Sequence, residues 1–350
     1  MRSTINFVQN ELIDAQKEVV SGRYSNLGEV LGATTTRSLN LHRDLSQMEN
    51  LLATNSVVTQ RLSSTQMAME TISNAGQTAL NTLVALAGST DTTQLQTATQ
   101  TITDVLDQFN DAANTSVNGE FVLAGINTDV TPLSDYMSDE NGTRTAFKEM
   151  FIEKFGFEPT DAQAGDITPA DMQDFMTNYV EPMFFDEDSD YYAWTSQDPS
   201  DPDMPFWSTA SDTPVTSRIS RTEVVQTSAT ANADGFRYLA MASVISIELL
   251  NTPLTSDARA VLGDSAIAYL GRAINGIDGQ RSLLGLSENR VSIANEALQA
   301  QLDIVKLNLD DLEGVDVYEA STRITALTNQ MEISYNLTAR INELSLVNQL

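Results

Sequence analysis

Two stretches near opposite ends of the chain carry apolar residues at alternating intervals of three and four. That spacing restricts the fold more than anything else in the sequence. In residues 41–69 the series is Leu45, Met48, Leu52, Leu62 and Met69, with Asn55, Thr59 and Gln66 at the intervening positions. In the second stretch Val291, Ala294, Leu298, Val305, Leu312 and Val315 follow the same rule, with Gln301 and Asn308 between them. Apolar residues every 3.5 positions make a narrow helical stripe that must face another helix, and polar residues within it weaken the seam while fixing its register. A helix from about Ala33 to Leu86 would be roughly 80 Å long at about 1.5 Å per residue, which predicts a rod. Neither flank can hide its stripe alone, so the two are expected to pack together.

Local chemistry marks the element boundaries. Gly88 to Asp91 ends one helix and caps the next, which is expected to run to about Ala113. Asn232 to Gly235 precedes a helix from about Phe236 to Leu250, and another follows Ser256. Thr168 followed by Pro169 reads as an N-cap and first turn, with a helix to about Val180. Extended pieces are expected at Glu120–Ala124 and Thr216–Val225, where β-branched and apolar residues concentrate. No internal repeat is evident.

The middle has a different composition. Eight of the nine prolines lie between Pro132 and Pro214, together with both tryptophans and most of the phenylalanines. Residues 132–231 carry 20 acidic and 5 basic side chains, so this segment reads as an acidic, aromatic-rich insert with its own core. Outside it, Leu51–Asn118 holds only Arg61, Glu70, Asp91, Asp104, Asp107 and Asp111 as charges, the remaining polar positions being mainly Thr, Ser, Asn and Gln. Like charges repel when copies of one chain stack side by side, so neutral polar faces favour a homomeric lattice. The expected fold is therefore mainly α: a long, coiled-coil-like helical rod built from both chain ends, with an inserted mixed α/β domain. The division is 1–30 with 315–350 as terminal assembly segments, 31–131 with 232–314 as the rod, and 132–231 as the surface insert.

Composition also excludes several functions. A formal net charge of −29 repels nucleic acid and anionic lipid. The most apolar run, Leu239–Leu250, is interrupted by Ser243, Ser246 and Glu248 and is far shorter than the roughly 20 residues a membrane helix needs. No signal-peptide core stands near the start, so a Sec-type route is not expected for the chain as given. There is no cysteine, hence no disulfide or thiolate metal site. His42 is the only histidine and is read as an ordinary helix-surface residue, because a histidine-bridged metal site or a triad would need more partners than this chain supplies. Asp186–Asp190, followed by Asp198, Asp201 and Asp203, lacks the glycine and terminal glutamate of a calcium loop and is read as a solvated acidic stretch. Gly263, Gly271, Gly276 and Gly279 form no phosphate-binding fingerprint and are read as allowing close helix approach or bending. No cofactor and no enzymatic activity are expected.

At the C-terminus Ile324, Leu327, Met331, Leu337, Ile341, Leu344 and Val347 make a further apolar helical stripe. The N-terminal partner, with Ile5, Val8, Leu12 and Ala15, is short and can cover only part of it. An exposed apolar remainder marks an interaction site, so these residues are the candidate assembly surface. Arg23 is the further candidate: it could bridge subunits through a carboxylate or hold a turn within its own chain.

Several segments carry a family resemblance. Glu18-Val19-Val20-Ser21-Gly22-Arg23-Tyr24 resembles the Ser-Gly-Arg turn of the flagellin superfamily. Leu286-Ser287-Glu288-Asn289-Arg290-Val291, with Asn295, resembles the start of that family's returning rod helix, and the run Asp311 to Arg323 its Asp-x-x-Glu-Ala-x-Thr segment. Asn118-Gly119-Glu120-Phe121-Val122-Leu123-Ala124-Gly125 and the closing Leu344–Leu350 are more similar to the hook–filament junction branch than to filament flagellins. The resemblance covers about 1–130 and 232–350. It implies a structural adaptor of the bacterial flagellum that joins hook to filament by self-assembly of its helical ends. Implied partners are copies of itself, the neighbouring hook-associated protein, flagellin and an export chaperone. The implied location is extracellular, on the flagellum. In relatives the unfolded N-terminal segment is read by the flagellar type III export apparatus; only 20 residues precede Ser21 here, fewer than the family usually has, so either a short terminal helix or a chain that begins at a later start is expected. A filament flagellin is the alternative within the superfamily, and an extracellular calcium- or glycan-binding module carried by the insert is the alternative from another class.

Overall fold

The computed structural model describes the backbone of residues 2–86, 89–138, 141–195 and 206–347, with side chains from Ser3 to Arg340 within those ranges. Ten α-helices account for most of it: α1 (Arg2–Ser21), α2 (Leu27–Leu31), α3 (Thr35–Leu86), α4 (Thr92–Ala113), α5 (Gly142–Phe155), α6 (Pro169–Phe175), α7 (Glu181–Phe185), α8 (Asp234–Leu249), α9 (Ser256–Glu313) and α10 (Val317–Val347). Two antiparallel hairpins, β1 (Ser116–Val117) with β2 (Glu120–Phe121) and β3 (Thr216–Arg218) with β4 (Val224–Gln226), are the only sheets among the described residues. The mainly helical architecture with an inserted mixed domain is as expected. The chain divides into two compact units, residues 1–53 with 294–350 and residues 54–293.

In the second unit the helices bury many apolar side chains. On α3, Asn55, Val58, Leu62, Thr65, Met69 and Ile72 are buried at intervals of 3, 4, 3, 4 and 3. The seam expected at Thr59 runs through Val58 instead; Thr59 is exposed and returns its hydroxyl to the Asn55 carbonyl at 2.9 Å. Asn55 donates from Nδ2 to the Ile219 carbonyl at 2.9 Å, so the seam's polar residue is used to fix a loop. On α9, whose residues from Ala294 onward belong to the first unit, the buried series is Val291, Ala294, Leu298, Leu302, Leu309 and Glu313, with half-buried Val305 between. Gln301, expected in the seam, is exposed, and Leu302 takes its place. The intervals 3, 4, 4 repeat every 11 residues, a period of about 3.67 per turn that leaves an α-helix nearly unstrained, whereas a heptad would need underwinding.

Helix α8 is apolar around its whole circumference and nearly every residue of it is buried, as such a sequence requires. Its interrupting serines are satisfied within the helix, Ser243 to the Leu239 carbonyl at 2.9 Å and Ser246 to the Ala242 carbonyl at 2.7 Å. Gly235 of α8 meets Gly276 of α9 at backbone distance: a Cβ on Gly276 would sit 2.8 Å from the Gly235 Cα, and one on Gly235 would sit 2.7 Å from the Ile277 nitrogen. Gly276 thus permits the close helix approach expected of the α9 glycines. Gly263, Gly271 and Gly279 do not, since a Cβ on any of them would meet nothing within 4 Å.

Ahead of the insert the Asn118-Gly119 pair, both at positive φ (55° and 84°), turns β1 into β2, as a tight hairpin loop requires. Asn141 caps α5 by accepting from the Arg144 N–H, and Thr168 forms a full capping box with Asp171 at the start of α6. The helical run then continues past the expected Val180 to Phe185 through a π turn at Met176–Val180. Pro182, which lacks an N–H to give back to the preceding turn, stands two residues after the end of that bulge. The extended segment expected at Thr216–Val225 is the β3–β4 hairpin. Ring contacts join Phe151 to Phe155 and Phe175, and Trp194 to Phe184 and Trp207. The aromatic core does not close on itself, however. Phe185 packs on Tyr238 of α8 with ring centroids 4.5 Å apart, Arg237 of α8 donates to the Phe184 carbonyl at 3.2 Å, and Glu248 accepts from Tyr136 and Arg144. The insert and α8 share one core.

Candidate assembly surface

The first unit brings the two chain ends together. Helix α1 packs along α10, with Val8 and Ala15 of α1 buried at the seven-residue interval of a paired stripe. Polar contacts set the register. Gln9 Nε2 donates to the Tyr335 hydroxyl at 2.9 Å, and Arg323 Nη1 donates to Glu18 Oε2 at 3.2 Å. Glu18 is itself buried, and its second oxygen accepts from the Ser25 N–H at 3.2 Å. One Glu18 oxygen thus takes a guanidinium hydrogen bond and the other a backbone amide, which fixes the side chain between α1 and α10.

The turn after α1 follows from Gly22, whose φ of 70° lies where an L side chain is disfavoured. It allows Arg23 to pair with Gly314 in a short antiparallel bridge: Val315 N–H donates to the Gly22 carbonyl and Tyr24 N–H to the Glu313 carbonyl, each at 2.9 Å. At this point stands Glu313, the last residue of α9, whose side chain is 1% exposed. It accepts from Ser38 Oγ at 2.5 Å, has His42 Nε2 2.8 Å from Oε1, and accepts from Arg23 Nη1 at 3.2 Å. Burial pushes its carboxyl up, but the hydrogen bonds from Ser38 and His42 and the charges of His42 and Arg23 outweigh it. The Glu313 pKa is held below the usual glutamate value. Arg23 is therefore engaged within its own chain. His42, read from the sequence as a plain surface residue, is a ligand of a buried carboxylate. Glu313 lay inside the family-like run at Asp311–Arg323, but nothing in local sequence connects it to Ser38 or His42, more than 270 residues away.

The α10 stripe is divided. Ile324, Leu327 and Met331 are half-buried, while Leu337 is 51% exposed. Ile341, Leu344 and Val347 fall in the helical backbone of α10, but their side chains lie outside the described residues. Further apolar groups that the stripe did not include also face outward: Phe7 (63%), Val20 (89%) and Ile333 (67%). Their signal in the sequence was weak, because they break the 3,4 spacing. In the upper part of α3, Leu45, Leu51 and Leu52 pack with Met48 against Leu298, Leu302 and Val305 of α9.

No three carboxylate or histidine groups come together among the described residues in a way that could hold a metal ion. In the acidic stretch Asp186 turns inward on the backbone and caps the Asp188 N–H at 3.1 Å; Asp198, Asp201 and Asp203 lie outside the described residues. No described helix is long and apolar enough to cross a membrane.

Residues 1–128 match the family described as the bacterial flagellin N-terminal helical region, and residues 267–350 match the bacterial flagellin C-terminal helical region. No curated protein matches the sequence. Among solved structures, one described as a "putative flagellar hook-associated protein from Vibrio parahaemolyticus" superposes with a TM-score of 0.53 at 11% identity. It covers 80% of this chain and 97% of its own, and at that identity the likeness is one of fold.

Proposed function

Because this chain belongs to the flagellin family, whose members are structural and flagellar, we propose that it is the adaptor joining the flagellar hook to its filament. The observation that carries this reading is the paired α1–α10 terminus, which leaves Phe7, Val20, Ile333 and Leu337 open to solvent on the segment formed from both chain ends. Apolar side chains in that number on one helix pair favour burial against neighbouring subunits. The junction-like sequence of Asn118–Gly125 and the likeness to a hook-associated fold support the junction over the filament.

The adaptor works by assembly alone. Residues 1–30 with 315–350 make the lattice contacts, 31–131 with 232–314 form the shaft, and 132–231 face outward. Arg23, Ile324, Leu327, Met331, Leu337, Ile341, Leu344 and Val347 are the proposed interface residues, Arg23 by holding the turn at Glu313. The partners are copies of itself, a neighbouring hook-associated protein, the first flagellin layer and a chaperone that shields the apolar ends before export through the flagellar type III route. The second reading, a filament flagellin, is favoured by the two flagellin regions that the chain matches. Gold-labelled antibody on intact flagella separates them. A ring at the distal end of the hook supports the adaptor, label along the filament supports flagellin, and label away from the flagellum refutes both.

A further inference from the structure

The unit 1–53 with 294–350 leaves a second helical stripe in solvent. On α9, Ala297, Ala300, Ile304 and Leu307 recur at intervals of three, four and three, and all four are exposed, Ile304 by 59% and Leu307 by 67%. At about 100° per residue, Ile304 and Leu307 point away from α3, which packs on Leu298 and Leu302. Apolar residues at that spacing suit the face of another helix. Glu296, Asp303 and Asp310 recur every seven residues along one edge of the stripe. They are exposed and have no cation within ion-pair distance among the described residues; Lys306, beside them, stands 3.9 Å from Glu49.

The other side of the same helix pair offers the complement. Leu39 is 64% exposed, and Arg43 is exposed with no ion pair or side-chain hydrogen bond among the described residues. Ser38 turns to Glu313 of α9, so Leu39 and Arg43, about 100° and 140° further round α3, face away from α9. Leu39, Arg43, Ser46, Asn50 and Ala53 are all exposed, at the four, three, four and three spacing of a matching stripe. The two patches also stand close to one level. Ser38 and His42 both reach Glu313, which sets the turn of Leu39 and Arg43 beside the last turns of α9, where Leu307 and Asp310 lie.

We propose that α3 of one copy docks on α9 of a second copy, with Leu39 against Ile304 and Leu307 and with Arg43 on the Asp303–Asp310 edge. Resting on the reading of the protein as a self-assembling subunit, this contact adds to the chain ends a lateral joint made by the shaft. Charge selects the pairing. Antiparallel α9 on α9 would set one acidic edge against another, and α3 on α3 would bring arginines together, whereas α3 on α9 matches opposite signs. Because the patches lie on opposite sides at one level, each copy takes a neighbour on both sides, the heterologous arrangement that extends as a row or closes as a ring.

The chain has no cysteine, so single introduced thiols report the contact directly. Full-length Leu39→Cys is mixed with full-length Leu307→Cys and oxidised, and each variant is oxidised alone. Disulfide dimers between the two variants should exceed the dimers of either one at least fivefold. Sedimentation velocity of the unsubstituted chain should show association that grows with concentration. Arg43→Glu or Asp310→Lys should weaken it at least fivefold, and the two together should restore most of it, because every contact then meets both reversed charges. A chain that stays monomeric at every concentration overturns the proposal. So do mixed dimers no more abundant than like ones, or charge reversals without effect. If added flagellin, and not a second copy, shields Leu307→Cys from a thiol reagent, the face belongs to another subunit and the proposal fails. Restoration by the second charge reversal cannot come from misfolding, and the disulfide comparison stands without the charge variants. None of these readouts depends on where the protein sits on the flagellum, so this contact and the adaptor role fail separately.

Discussion

The contact between Gly235 and Gly276 makes one substitution change sign with position along a single helix. Glycine in a helix interior is about 0.8–1.0 kcal/mol less favourable than alanine, so Gly→Ala should stabilise α9 wherever there is room. At Gly279 the new methyl meets nothing within 4 Å, and the expected gain is close to that full amount. At Gly276 the methyl would sit 2.8 Å from the Gly235 Cα, nearer than real Cβ atoms approach, and the obstacle is backbone that cannot rotate away. Separating two packed helices to make room is an overpacking event, typically costing about 1–3 kcal/mol. Gly276→Ala should therefore range from neutral to about 2 kcal/mol destabilised, and should lie about 1–3 kcal/mol below Gly279→Ala. Urea unfolding followed by circular dichroism measures both, with the midpoint shifting and the slope unchanged. If Gly276→Ala stabilises the protein as much as Gly279→Ala does, the two helices do not meet at their glycines and the packing described for α8 is wrong.

Other outcomes follow from the same structure. Glu313→Gln replaces one of the two oxygens that accept from Ser38 and Arg23 with an amide donor and should cost about 1–3 kcal/mol, read as lost hydrogen-exchange protection in α1. Since the Glu313 pKa is lowered in the folded chain, its contribution is complete above the unfolded value near 4.5 and disappears as pH falls through the folded value. Stability of residues 1–53 with 294–350 should thus decline below about pH 4.5 in wild type and much less steeply in Glu313→Gln, and parallel acid profiles would sink the assignment. Leu337→Asp should leave monomer unfolding within about 0.5 kcal/mol of wild type while blocking incorporation into flagella, because this residue is half exposed; a large loss of monomer stability would show it to be a packing residue. Replacing 132–231 by a short linker should expose the side of α8 that now holds Phe184, Phe185 and Glu248's partners, giving a chain that aggregates; a soluble, cooperatively unfolding product would show the insert's core to be separate.

What was legible in the sequence was local. Helix ends at Asp91 and Thr168 were readable because a side-chain oxygen reaches an N–H only three residues away. The 3,4 spacing established that α3 and α9 each bury one stripe, and that both chain ends are helical. It left the stripe's position uncertain by a residue. A seven-residue and an eleven-residue repeat diverge by only some tens of degrees over a few turns, so the choice of Leu302 over Gln301 and Val58 over Thr59 was made by the facing helices. The remaining features belong to the tertiary structure alone. Glu313 lies at the end of one helix and His42 near the start of another; only folding places them 2.8 Å apart and turns a lone histidine into part of a buried lock. The insert's composition suggested a self-sufficient core, yet composition cannot tell whether the last aromatic face closes on its own segment or on a neighbour. Helix α8, apolar on every side, needed covering there, and burying both surfaces at once leaves less of either in water.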